Sequence, residues 1–141
     1  MPANTSPIFT LTPSVEWTTV NMTAGNTGNL TGATTSYLVF TAGANGSYVQ
    51  KIRFRHQSNN SNNVQTVVRV FINNGGAIGT IANDTIWDEI TIGALTASQT
   101  VASANYELPL NFALPAGYTI YCTLGTGVAA GIQATVIGGD Y

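Results

Sequence analysis

The side chains able to do covalent or acid–base chemistry are few: one imidazole, His56, one thiol, Cys122, and six carboxylates, Glu16, Asp84, Asp88, Glu89, Glu107 and Asp140. A nucleophilic site needs a nucleophile, a base and an orienting group, so a cysteine–histidine pair requires a fold that brings His56 to Cys122. His56 ends a run carrying Ile52 and Phe54, just before a polar loop, which is the setting of a structural histidine. Cys122 lies inside the apolar run 118–124, where a buried, inert thiol is expected, and a single cysteine excludes an internal disulfide. A glycosidase needs two carboxylates flanking a cleft. Asp88 and Glu89 are adjacent in an extended segment and therefore point to opposite faces. One His, one Cys and no Asp-x-Asp loop make no zinc or calcium ligand set. The glycines at 75–76, 125, 127 and 138–139 precede no helix that could hold a phosphate on its N-terminus, so they read as turn glycines. The residues therefore predict no catalytic group, no metal, no cofactor and no enzyme.

The basic residues are the one concentrated charge feature. Lys51, Arg53, Arg55 and Arg69 all fall in two neighbouring extended segments, and alternation puts the first three on one face. Arg69 joins them if the two segments pair. The estimated pI near 5.0 does not suit nucleic acid, which wants many phosphate contacts. A protein contact is expected instead, the arginines meeting carboxylates such as Glu89 or Glu107 of a neighbouring copy, or an acidic surface on another protein.

Strands must position these groups, because no window shows apolar residues at helical spacing with caps at its ends. The patterns predict strands over 8–11, 15–20, 37–40, 48–56, 64–73, 78–81, 86–92, 100–108, 118–124 and 132–137. A long loop over 21–32, an Asn-Gly turn at 45–46, a polar loop over 58–63 and a turn over 73–76 separate them. In the segment from Tyr48 to His56, alternation assigns Tyr48, Gln50, Ile52, Phe54 and His56 to one face and Val49, Lys51, Arg53 and Arg55 to the other. Short strands at this spacing predict an all-β, antiparallel, jelly-roll-like β-sandwich. Residues 1–13, with three prolines, form a short extended N-terminal arm, and 14–141 a single domain.

Of the 141 residues, 44% are hydrophobic and only 7% charged, with a net charge of −2. Ordinary soluble domains carry about 25% charged residues. Low charge suits surfaces that pack against other subunits, since interface cores are depleted in charge and copies with little net charge do not repel. No stretch has signal-peptide character and none is apolar enough to span a membrane as a helix, so synthesis in a cytoplasm and no membrane partner are expected. The six Asn-x-Ser/Thr triplets then read as compositional chance.

The segment 107–118, Glu-Leu-Pro-Leu-Asn-Phe-Ala-Leu-Pro-Ala-Gly-Tyr, and the closing run 129–141, Ala-Ala-Gly-Ile-Gln-Ala-Thr-Val-Ile-Gly-Gly-Asp-Tyr, resemble the small jelly-roll head decoration (cement) proteins of tailed bacteriophages and related virion β-domains. The resemblance covers about 35–141 at the level of pattern. It implies a virion structural protein on the capsid surface, made in the host cytoplasm, that self-associates as a homotrimer and contacts the major capsid protein. It also implies that the arm, with Pro7, Ile8 and Phe9, clasps capsid subunits. The alternative is a tail or head fibre domain binding host-surface glycans, with Trp17, Trp87, Tyr121 or Tyr141 stacking on sugars.

Overall fold

The computed structural model describes residues 10–26, 35–57 and 61–141. Eight strands run through them: β1 (Thr12–Trp17), β2 (Tyr37–Thr41), β3 (Ser47–His56), β4 (Thr66–Asn73), β5 (Asp84–Ile92), β6 (Tyr106–Leu114), β7 (Thr119–Leu124) and β8 (Ile132–Asp140). One antiparallel sheet has the order β1-β8-β3-β6 and the other β2-β7-β4-β5. The pairings nest, β4 with β5, β3 with β6, β2 with β7 and β1 with β8, as if one long hairpin had been folded across two layers. Val49, Ile52, Phe54, Ala134 and Val136 of the first sheet meet Phe40, Val68, Val70, Ile120, Cys122 and Leu124 of the second in a single core. The molecule is a β-sandwich, and among the described residues no helix is long and apolar enough to cross a membrane.

Register shifts in four of the six strand pairings adjust the alternation that the sequence suggests. Gln50 is the extra residue of β3 against β8, so the inward set is Ser47 and Val49 before it and Ile52, Phe54 and His56 after it. Tyr48 and Gln50 are exposed and Val49 is buried, the reverse of a strict two-residue repeat from Tyr48. Gly138 makes this bulge possible, because a Cβ there would overlap the Tyr48 carbonyl oxygen. Val39 and Trp87 are the extra residues of β2 and β5.

Strand boundaries differ from the patterned segments where a local hydrogen bond or the sheet edge overrides them. The segment 78–81 is a turn, because Asp84 Oδ2 collects the N–H groups of Gly79 (2.6 Å) and Thr80 (3.1 Å) and closes the chain on itself. The strand expected over 100–108 lies instead at Tyr106–Leu114 and runs through Pro109. Proline is tolerated there because β6 is an edge strand, with a free side that needs no N–H. Thr12 and Pro13 of the expected arm belong to β1, and the Leu11 N–H already donates to the Asp140 carbonyl at 2.8 Å. Pro7, Ile8 and Phe9 lie outside the described residues.

Candidate interaction surfaces

The residues with chemistry are used to build the sandwich. Cys122 is fully buried on the inner face of β7, and burial holds its thiol protonated far above the ordinary range. His56 points inward at the end of β3, where Asn63 Nδ2 donates to its Nδ1 at 2.8 Å. Asn63 Oδ1 accepts the Ala130 N–H at 2.6 Å, which fixes the amide so that its nitrogen faces the ring. The ring also hydrogen-bonds the Gly93 backbone, whose N–H is taken by the Tyr106 hydroxyl at 3.0 Å, leaving the Gly93 carbonyl as acceptor for Nε2–H. Burial pushes the His56 pKa down, with the Gly93 bond opposing it. His56 and Cys122 therefore stand on different sheets, the imidazole engaged with loop backbone.

The carboxylates are likewise committed. Asp84 organises the β4–β5 turn, Asp140 accepts from Ser47 Oγ, and Asp88 accepts the Glu89 N–H. Glu16 points inward from the edge strand β1 and accepts the Thr41 N–H of the opposite sheet at 3.1 Å, with burial raising its pKa. The hydrogen bond from Lys51 holds the Glu107 carboxyl below the usual range. Among the described residues no three His, Cys, Asp or Glu side chains come together as a metal-ligand set.

The basic residues divide between two surfaces. Lys51, Arg53 and Arg55 share the outer face of the first sheet as the alternation requires, whereas β4 lies in the second sheet, so Arg69 does not join them. Arg69 sits opposite Glu89 on β5, with Nε 3.5 Å from Oε2. Lys51 Nζ pairs with Glu107 Oε2 at 2.9 Å. Around Arg53 and Arg55 the surface sinks into a depression of about 380 Å³, lined also by Gln57, Ser103, Gln133 and Thr135 and bordered by His56.

The outer face of the second sheet is the larger anomaly. Register places Leu38, Tyr121, Phe71 and Ile86 in one row across all four strands. Phe71 belongs to this outer row, apart from the central core, yet is only 5% exposed because its neighbours shield it. Ile86 (52% exposed) stands beside it, Leu38 (44%) ends the row beyond Tyr121, and Ile81 (93%) projects next to Phe71 and Ile86 from the turn braced by Asp84. The row on one side holds Thr123, Arg69 and Glu89, and the row on the other holds Thr41, Thr119, Asn73 and Asp84. Thr123 and Asn73 in these rows are buried, and the exposed members Glu89 and Thr41 edge the apolar row with polar groups, as at a protein–protein interface.

No family model matches the chain, and no curated protein is found as its relative. Leu38, Phe71, Tyr121 and Ile86 carried no signal as a group in the sequence, since they come from four segments that only the strand order aligns. Phe71 alone was readable as misplaced, because an aromatic beside Val70 must face away from the valines' side.

Proposed function

We propose that the protein is a structural subunit of a bacteriophage particle, a jelly-roll domain that decorates and cements the capsid as a homotrimer, without catalysis. The observation that carries this is the apolar row Leu38–Tyr121–Phe71–Ile86 with Ile81 beside it, whose exposed members Leu38, Ile86 and Ile81 form the kind of surface that marks a protein contact. The nested pairing of β1 with β8 through β4 with β5 supports the jelly-roll reading, which is built of two such folded keys. With a net charge of −2 and a 7% charged composition, three copies crowd around an axis at little electrostatic cost. The major capsid protein is the partner, and the capsid surface the location. A subunit that binds only assembled shells shifts the equilibrium away from disassembly, and trivalent attachment multiplies modest contacts.

Two measurements on the purified chain test this reading. Sedimentation velocity is expected to give a trimer that Leu38→Asp and Ile86→Lys convert to monomers. Co-sedimentation with shells lacking the protein is expected to pull it down. A monomer at every concentration that also stays in the supernatant would overturn the reading.

A further inference from the structure

The first sheet's outer face carries a different kind of surface, and it does not depend on the assembly reading. Register sets Arg53 on β3 beside Thr135 on β8, and Thr135 beside Trp17 on β1. Strands about 4.8 Å apart put Trp17 and Arg53 about 10 Å from each other, with Thr135 as the floor between them. Two residues along, Arg55 stands beside Gln133. Its guanidinium donates to Ser103 Oγ at 3.1 Å, which fixes its orientation from the β5–β6 loop. Arg53, Arg55, Ser103, Gln133 and Thr135 line a depression of about 380 Å³, within the roughly 300–1,000 Å³ of small-ligand sites, and Trp17 stands outside it across Thr135.

Three features of the cleft select a ligand. Charge is the first: among the described residues the ion pairs take up Lys51 and Arg69, and no carboxylate lines the cleft, so Arg53 and Arg55 present cationic forks to whatever enters. Glu107, the cross-strand neighbour of Arg53, is held on Lys51. Guanidinium forks match a planar carboxylate in two parallel hydrogen bonds. The second is that Gln133, Thr135 and Ser103 each offer both a donor and an acceptor, which suits hydroxyl groups and is superfluous for a bare carboxylate side chain. The third lies just outside the cleft: Trp17, 55% exposed and turned outward on the far side of Thr135, where with Val15, Glu16 and Thr19 it borders a neighbouring depression. Two arginines alone are too few for a run of nucleic-acid phosphates.

We propose that this cleft is a binding site for an acidic sugar, a pyranose bearing a carboxylate, with the carboxylate on Arg53 and Arg55, the hydroxyls on Gln133, Thr135 and Ser103, and the ring edge against Trp17. A surface polysaccharide containing such residues is the class of partner it fits. The floor is rigid, since Thr135 and Gln133 alternate along β8 with the buried Ala134 and Ile132.

Isothermal titration calorimetry, with amide shifts mapped by NMR, tests the site using 3′-sialyllactose and a glucuronic acid disaccharide against neutral lactose and a sulfated disaccharide. Both carboxylated sugars are expected to bind and to shift the Trp17 indole and the Thr135 amide. Arg53→Gln and Arg55→Gln are each expected to weaken binding about tenfold or more, the usual loss for a charge-assisted hydrogen bond. Trp17→Ala weakens it as well, while Arg69→Gln on the other sheet leaves it unchanged. No binding of either carboxylated sugar overturns the proposal, as does equal binding of lactose, tighter binding of the sulfated sugar, or binding indifferent to Arg53→Gln. The oligomer-breaking Leu38→Asp lies on the opposite sheet, so loss of assembly and loss of sugar binding are separately visible.

Discussion

At the level of single residues, the His56 ring shows how a lone ionisable group is made structural. It is held between the Asn63 amide and the Gly93 backbone, and burial lowers its pKa from an ordinary value of 6.5. The folded state therefore takes up a proton less readily than the unfolded chain. As pH falls below about 6.5, the unfolded state is protonated first, and stability declines until the folded-state pKa is reached. Urea midpoints measured from pH 7 to pH 5 are expected to fall further in the native chain than in His56→Gln, which has no proton to gain. Equal pH slopes would show that His56 does not contribute. Asn63→Ala strands the buried ring and frees the Ala130 N–H, at an expected cost of roughly 2–3 kcal/mol in the same titration. The sequence made the inward placement of His56 legible through the face it shares with Ile52 and Phe54. It could not reveal Asn63, because the contact closes a loop whose course is set by the Leu95 bridge.

Strands were legible where one face alone meets the core and illegible where an edge or a bulge intervenes. Alternation from Lys51 to His56 correctly put Lys51, Arg53 and Arg55 together, since no bulge interrupts that stretch. Before it, Gln50 slips the register by one and exchanges the faces of Tyr48 and Val49. That slip depends on Gly138, a residue of β8 far away in sequence. Gly138→Ala is expected to destabilise the protein by about 2 kcal/mol or more, because the new methyl group must displace the Tyr48 carbonyl from the bulge. Chemical denaturation reads this directly, and an Ala variant as stable as the native chain would mean that the bulge tolerates a side chain. Whether Pro109 can sit inside a strand, and whether Arg69 faces Arg53, are questions of sheet order. Local pattern cannot answer them, so the 100–108 assignment and the four-residue basic patch both failed at that point.

The whole molecule presents two dissimilar outer faces, one crossed by an apolar row between polar ones and one bearing a charged cleft. Their difference predicts how assembly responds to conditions. If the Leu38–Tyr121–Phe71–Ile86 row is the self-contact, its driving force is apolar burial, and the Arg69–Glu89 pair at its rim is an exposed bridge of small worth. Raising NaCl from about 0.05 to 0.5 M shortens the screening length several-fold yet should leave the oligomer intact. An interface built on Arg53 and Arg55 would dissociate over the same range. Because association stabilises only the folded chain, the thermal midpoint is expected to climb with protein concentration in the native sequence and to stay constant in the Leu38→Asp, Ile86→Lys double variant. A midpoint independent of concentration in the native chain would detach the apolar row from self-association and leave a different protein as its cover.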